Sequence, residues 1–290
     1  MTTRSNNSGF ALVMTLLVIT IAGSALAVAA NRSCRATLQA SAAMEDLQVR
    51  WGATSCRELM MFSAEWMLVQ DARGDRAPSP TSRKSITLGG MQFDLIFSDE
   101  QAKANVNALA KTRNEPDLAH SLISVQKDLM RISAIRLSPA ELADDNPDTD
   151  QLQYASFDQV LAAPRPEDLI SIDRFARSAG DRITCWSNGK VNFKRADRQV
   201  LREALVGVFN ETQLNELIKY RDRSPDCTLL EALDSIEMQN AEETIGKAMT
   251  LLTDMSLCHG LWVIARGKTR CWYSLHVRRR SDGRHWSFQW

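Results

Sequence analysis

The feature that most constrains this chain is an uncharged apolar run from Phe10 to Ala30. Its 21 residues include no Asp, Glu, Lys, Arg or His. Wound as a helix they span about 32 Å at ~1.5 Å per residue, close to the thickness of a bilayer's hydrocarbon core. Asn31 and Arg32 close the run, and helical spacing continues straight beyond them. Ahead of it the nine residues Met1 to Gly9 carry one charge, Arg4, and end in a small residue against the first aromatic. Three readings compete. A secretory signal has an apolar region of ~7–15 residues and a small-x-small site, which Ala25-Leu26-Ala27 or Val28-Ala29-Ala30 could supply. A plain signal anchor would keep the whole segment. In the third reading, cleavage after Gly9 leaves the apolar run at the head of a long helix. The short polar leader, the Gly9-Phe10 junction and the uninterrupted helical pattern favour that third reading.

This junction resembles the leader of type IV prepilin-like proteins. The resemblance implies cleavage before Phe10 and retention of the apolar segment. Position five counted from Phe10 is Met14, where most pilin-like subunits carry Glu. A carboxylate at that depth is costly in lipid unless paired, and the family's Glu pairs with the terminal amine of a neighbouring subunit. A subunit at the end of a filament has no neighbour ahead of it, so an apolar Met14 suits a tip position. The plain alternative is that Met14 is one more apolar residue in a membrane helix.

A chain of 290 residues has room for one large or two modest domains with a proper core. Lys plus Arg and Asp plus Glu are equal at 35 each, so no global basic field advertises nucleic acid or anionic lipid. Six Cys (34, 56, 185, 227, 258 and 271) show no Cys-x-x-Cys spacing, which argues against a zinc site. Cys34 and Cys56 share one expected helix, with about 33 Å of rise between them, too far to bridge.

From Asn31 to Arg73 the pattern stays helical. Met44, Leu47, Trp51, Leu59, Met60, Phe62, Trp66 and Leu68 recur at three- and four-residue steps, which predicts one rod whose second half packs these residues on a globular head. Gly74, Pro78 and Pro80 end it. Ile86 to Gly90 and Met91 to Phe97 read as two strands about a glycine turn, with Phe93, Leu95 and Phe97 alternating. The stretch from Ser98 to Leu109 follows, with Asp99, Lys103, Asn105, Asn107 and Leu109 at distinctive spacing.

That stretch is similar to a segment of the K-type minor pseudopilins of type II secretion systems, in which a strand runs into Asp, Lys and an Asn-x-Asn-x-Leu pattern. Further matches follow in order. Residues 156–169 resemble the family's first small helical hairpin, although Pro164-Arg165 replaces the usual Gly. Ile183 to Ala196 holds a strand, a turn at Gly189 and a second Asn-x-Asn-x-Ala pattern at Asn192 and Ala196. Lys194 stands where the second Asn is usual, so the turn bonds of a side-chain amide are expected to be lost there. Val200 to Gly207, then Leu214 to Arg221, read as helix, glycine hairpin and helix.

Between these motifs, residues 110–180 read as short helices, one from Leu118 to Ile132 and one starting at Ser138-Pro139. Asp144, Asn146, Asp148 and Asp150 alternate oxygen ligands as a calcium loop would begin. Thr149 and Ala155 occupy the positions of its Gly and bidentate Glu, so an acidic linker is the better reading and no cofactor is expected, with calcium as the minority view. A helix-hairpin-helix can bind nucleic-acid phosphates through backbone amides exposed between two glycines. Phe209 holds the second glycine position, and Asp197 and Glu203 interrupt Lys194, Arg195, Arg198 and Arg202, so nucleic acid is not expected as a partner. After a helical stretch from Leu229 to Thr253, Leu261 to Trp290 forms a meander of strands. Pairing Arg266 with Thr269 would set Cys271 opposite Ile264 and make a Cys258–Cys271 bridge unfavourable. Arg278 to Arg280 reads as a solvated strand end. His276 and His285 would meet only in an unusual register, and the four His are read as isolated. No nucleophile–base pair or phosphate loop emerges, so no enzyme is expected.

The resemblance implies an α+β fold in which a pilin-like long N-terminal helix and small antiparallel sheet are interrupted by a large all-α insert of helix-hairpin-helix or SAM-like units. Residues 1–9 would be the leader, 10–30 the transmembrane half of the helix and 31–73 its periplasmic half. Residues 84–98 and 257–290 would form the sheet, and 99–256 the insert. It further implies processing at Gly9 and Phe10 by a prepilin peptidase, with N-methylation, and a single pass through a bacterial inner membrane with the head in the periplasm. The implied partners are I- and J-type minor pseudopilins and the major pseudopilin, at a pseudopilus tip that supports export through the outer membrane. Two alternatives stay open, a type IV pilus minor pilin and a membrane-tethered helix-hairpin-helix protein that binds DNA.

Overall fold

The computed structural model describes residues 8–72, 79–126, 135–139, 153–162, 181–237, 241–267 and 271–289. The chain divides into two compact units, Met1–Trp51 and Gly52–Trp290. Helix α1 (Ser8–Met60) accounts for every described residue of the first unit. Among the described residues one helix, near the N-terminus, is long and apolar enough to cross a membrane. Its few hydroxyls are satisfied within the helix: Thr15 and Thr20 each donate to the carbonyl four residues back at 2.8 Å, and Ser24 to the carbonyl three back at 2.8 Å. No side-chain hydroxyl in that span therefore needs water. Met44, Leu47 and Trp51 are exposed in this unit, not packed as their spacing predicts.

The second unit is built on a sheet of five strands in the order β1-β2-β7-β8-β9. Strands β1 (Thr81–Leu88) and β2 (Met91–Asp99) join through Gly89 and Gly90, both at positive φ, which a two-residue hairpin of this kind requires. β1 starts five residues earlier than its apolar pattern suggests, because Thr81 to Ser85 is polar on the sheet's open edge. β7 (Cys258–Arg266) lies directly beside β2, then β8 (Cys271–Arg279) and β9 (His285–Gln289) follow antiparallel. In the observed register Cys271 pairs with Arg266, and Tyr273 with Ile264. The expected Arg266–Thr269 pairing is thus corrected by a longer connection. All six cysteines are free thiols.

Because β2 and β7 are adjacent, everything between Asp99 and Cys258 leaves and rejoins the sheet at one end. The described residues of this stretch form α3 (Val106–Ala110), α4 (Glu115–Val125), α5 (Arg198–Ala204), α6 (Glu211–Arg223), α7 (Leu229–Asp234) and α8 (Ala241–Leu251). Two short parallel strand pairs stitch them, β3 (Ala104–Asn105) with β4 (Ile183–Thr184) and β5 (Val191–Asn192) with β6 (Leu252–Thr253). The expected Ile183–Ala196 strand-and-turn is therefore split between two different partners. The acidic stretch 144–150, the Pro164-Arg165 hairpin and residues 127–132 of the expected Leu118–Ile132 helix lie outside the described residues.

The central strands are buried on both faces, which is why β7 reads as a continuous apolar run. One face carries Phe93, Leu95 and Phe97 opposite Ala265, Val263 and Leu261. It packs on the end of α1, a 3-10 turn (Met61–Ser63) and α2 (Ala64–Ala72). Gly52 is required there, since a Cβ would overlap the Phe93 ring. The helix residues buried in this layer are Cys56, Met61, Ala64 and Leu68. Leu59, Phe62 and Trp66, expected to pack on the head, point outward and are exposed. Of the large apolar residues expected to pack, Leu68 is buried, and around Gly52 the sheet takes the face that leaves room for the Phe93 ring. The other face carries Ile96, Trp262, Ile264, Leu275 and Val277, continuous with the core of the insert. There Trp186 meets Phe157 edge-on, with ring centroids 5.0 Å apart, and contacts Phe288 at 5.4 Å. The aromatic last strand is thereby a core face.

Candidate functional site

The motif residues of the insert converge on its neck, where the chain leaves β2 and returns to β7. Asp99 ends β2 and is fully buried. Its Oδ1 accepts from the backbone N–H groups of Gln101 (2.9 Å) and Ala102 (3.2 Å) and from the Ser256 hydroxyl (2.6 Å). Its Oδ2 accepts from Asn192 Nδ2 at 2.8 Å. One carboxylate therefore caps the 3-10 turn Glu100–Ala102, holds the returning strand and binds the second motif. A buried carboxylate with four donors is stable without a cationic partner, because hydrogen bonds replace its hydration.

Asn105 and Asn107 work as paired clips. Asn105 Oδ1 caps α3 through the Ala108 N–H (2.9 Å), and its Nδ2 donates to the Ser187 carbonyl and hydroxyl at 2.7 and 2.8 Å. Asn107 Nδ2 donates to the carbonyls of Tyr154 and Cys185, both at 2.8 Å, while Oδ1 accepts from Tyr154 N at 2.9 Å. Each amide spends both its donor and its acceptor on backbone that would otherwise be buried without partners. Leu109 packs against the core beside them.

The second motif closes differently. Asn192 Oδ1 accepts from Lys194 N at 3.1 Å and its carbonyl from Ala196 N at 2.9 Å. The turn is also held by Arg221, whose Nη1 donates to the carbonyls of Phe193 (3.0 Å) and Ala196 (2.8 Å). Arg221 reaches them from α6 and is largely buried. Gly207 follows α5 at positive φ, ending that helix. Beyond it the amides of Val208 and Phe209 donate to the Leu205 carbonyl at 3.0 and 3.2 Å. Those two amides of the hairpin are thus already bonded. Arg198 and Arg202 both bind Glu211 at 2.7 Å.

Beside the neck lies a buried ionic cluster that the motif reading missed in part. Lys103 Nζ donates to Glu100 Oε1 at 2.5 Å with both side chains buried, and the Ser98 hydroxyl adds a bond at 2.6 Å. Glu100 Oε2 finds no partner among the described residues. A Cβ at Gly260 would press on the Glu100 carboxylate, so Gly260 marks this site from within an apolar strand. Asp181 faces Arg83 at 3.8 Å, and burial pushes its carboxyl up to about 6 against the opposing pull of Lys103 and Arg83. Gln101 joins the neck through Asn188 Oδ1 at 2.7 Å and through the Leu257 N–H. Gln101, Ser256, Glu100 and Gly260 escape motif reading, although a lone Gly in an apolar strand signals close approach.

The remaining singled-out residues fall elsewhere. Gly9, Phe10 and Met14 lie on α1, with Phe10 and Met14 exposed. His276 and His285 stack with centroids 6.1 Å apart, in an ordinary diagonal register across β8 and β9, which corrects the expectation that they stay apart. Both His276 nitrogens meet hydroxyls, Ser287 at 3.0 Å and Ser274 at 3.2 Å, and burial lowers the imidazole to about 4. Burial also pushes the Cys185 and Cys258 thiols well up, which disfavours the thiolate form. Among the described residues no three His, Cys, Asp or Glu side chains group as metal ligands. Of the Arg278–Arg280 run only Arg280 is exposed, and it binds Glu65 at 2.9 Å, while the half-buried Arg278 stands over Phe62 and the buried Arg279 pairs with Asp282. What these residues do together is bond the insert to the end of the sheet.

No family model and no curated protein matches the chain. Among solved structures it is similar to a chain of the GspK-GspI-GspJ complex from the enterotoxigenic Escherichia coli type 2 secretion system. That alignment has a TM-score of 0.48 and 14% sequence identity, and covers 87% of this chain and 99% of that one.

Proposed function

We propose that this chain is a minor pseudopilin-like subunit, anchored in a bacterial inner membrane by residues 10–30 with its second unit in the periplasm. The observation that carries the reading is the Gly9-Phe10 junction. It opens an uncharged 21-residue run that stays helical to Met60 and has Met14 where a filament-internal subunit needs a carboxylate. The bond between Asp99 and Asn192 supports it, because it gives two motifs read separately in the sequence a shared structural task. In this role the chain performs no chemistry. Its bulky insert blocks the addition of a further subunit above it, and its helix starts the assembly of subunits below. Partners of that role are other minor pseudopilins, the major pseudopilin and a prepilin peptidase, and the assembly serves export across the outer membrane.

Mass spectrometry of the mature N-terminus tests this. N-methylated Phe10 is expected. A start at Val28 or Asn31 rejects the reading, and an intact Met1 leaves a plain anchor. A type IV pilus minor pilin would share that N-terminus, and a neighbouring secretin gene as against a retraction ATPase separates the two. The DNA-binding alternative loses ground to the Glu211 pairing of Arg198 and Arg202 and to the bonded hairpin amides. Absence of a DNA mobility shift at low salt would dispose of it.

A further inference from the structure

The apolar run ends at Ala30, and the first charges after it are Arg32 and Arg35. Both are exposed on α1, and neither has a hydrogen bond or ion pair among the described residues. Three residues apart, they stand on one face of the helix, about 3 and 8 Å of rise beyond the end of the run. From Phe10 the chain carries no acid until Glu45, ten residues and about 15 Å beyond Arg35, and Asp46 beside it pairs with Arg50 at 2.8 Å. No carboxylate of this helix therefore lies within reach of either arginine. With the head in the periplasm, these two cations are not the cytoplasmic excess that orients a single-pass chain; of Lys and Arg, Arg4 alone stands on that side. Two unpaired guanidinium groups just outside a hydrocarbon core sit at the depth of phospholipid phosphates.

We propose that Arg32 and Arg35 form a phosphate clamp for anionic phospholipid in the periplasmic leaflet of the inner membrane, which fixes how deep α1 sits. This rests on the membrane-anchored reading above. A guanidinium meets a phosphate through two parallel N–H donors and keeps its charge at neutral pH. Set one turn apart, the two groups take one headgroup between them or two adjacent ones. A net-negative headgroup is selected over a zwitterionic one, because a choline or ethanolamine cation would be brought against the second guanidinium. A protein helix is the weaker candidate. Between Ala30 and Leu38 the chain offers Asn31, Ser33, Cys34, Ala36 and Thr37 beside the two arginines, with no large apolar side chain to bury against a partner. Lifting the helix out of the bilayer then requires the clamp to open.

The test uses the full chain as purified from membranes, carrying Cys271→Ser, in phosphatidylethanolamine nanodiscs with brominated phosphatidylglycerol or brominated phosphatidylcholine as a minor component. The other exposed thiol, Cys34, lies between the two arginines and takes a bimane label, whose quenching reports the lipid held there. Phosphatidylglycerol should be preferred about twenty-fold at low salt, roughly five-fold for each arginine. Arg32→Gln and Arg35→Gln should each lose about five-fold, and the double variant all preference, while Arg50→Gln should lose none. Equal quenching by the two lipids overturns the proposal, as does a preference indifferent to the double variant. A preference abolished by inorganic phosphate but not by sodium chloride of equal ionic strength would show that the arginines take the free ion, which overturns the lipid assignment. The N-terminus of the same sample keeps the two readings apart. Lipid preference without methyl-Phe10 sinks the pilin-like reading alone, methyl-Phe10 without preference sinks the clamp alone, and a start at Val28 or Asn31 removes the anchor and overturns both.

Discussion

The two faces of the central sheet are sealed by different physics. On the helix side, Phe93 enters the space left by Gly52, and Cys56, Ala64 and Leu68 close the layer by shape. On the insert side, apolar residues also meet, but the insert is located by polar bonds at its neck: Asp99 to Asn192 and Ser256, Asn105 to Ser187, Asn107 to Tyr154, Arg221 to Phe193 and Ala196. A helix on a sheet can be placed by complementary surfaces because both are regular. An insert of short helices and two-residue strands has few repeated backbone bonds, so side chains must satisfy its buried amides and carbonyls one by one. The polar side should therefore be the more brittle of the two.

Chemical denaturation of the detergent-solubilised chain measures that difference. Asp99→Ala strands Asn192, Ser256 and two backbone N–H groups in a dry site and should cost about 4 kcal/mol. A cost near 1 kcal/mol would mean that water replaces the carboxylate and that the neck is not the weak point. Gly52→Val drives a branched side chain into Phe93 and should cost about 3 kcal/mol, relieved in part by Phe93→Leu. If the double variant is no better than the single one, shape does not govern that face. Arg221→Ala leaves two carbonyls of the second turn unpaired, for a loss of about 2 kcal/mol. Adding Lys194→Asn to that variant should recover some of it.

A smaller effect is pH-dependent. Asp181 has its folded pKa raised to about 6 from 3.8, so the folded chain holds the proton more tightly. Its contribution is fully present below about pH 4 and is lost as pH rises through 6. Asp181→Asn should therefore raise the midpoint at pH 8 and leave it nearly unchanged at pH 4; a lowered midpoint at pH 8 would show that Arg83 pairing, not burial, decides. Smallest of all, Leu59→Ala and Trp66→Ala lie outside both sealed faces and should change stability by less than about 0.5 kcal/mol. A loss of several times that would place the outer ridge in the core.

How much of this was legible in the sequence differs residue by residue. Gly89-Gly90 and the Phe93, Leu95, Phe97 alternation announced the first hairpin because turn chemistry and period-two burial are local. Asp99, Asn105 and Asn107 were legible as a motif, but their tasks were not, since their partners lie as far as 157 residues away in sequence. Arg221 was visible as a motif residue without any hint that it holds the Phe193 and Ala196 carbonyls. The helix-face error is the most instructive. Periodicity places Leu59, Phe62 and Trp66 on one stripe correctly, yet cannot say which stripe meets the sheet.

What the sequence determined by itself was whatever depends on near neighbours and on solvent: an uncharged run that forms a helix long and apolar enough to cross a membrane, two glycines that fold a hairpin, and the alternation that makes its strands. What tertiary structure alone decided was which surfaces meet. The small residues around Gly52 face inward because Phe93 needs room, and the aromatic stripe faces outward as a consequence. The insert sits where it does because one buried carboxylate at Asp99 collects donors from the turn beside it and from two distant stretches of chain, a choice that becomes favourable only once they have been brought out of water together.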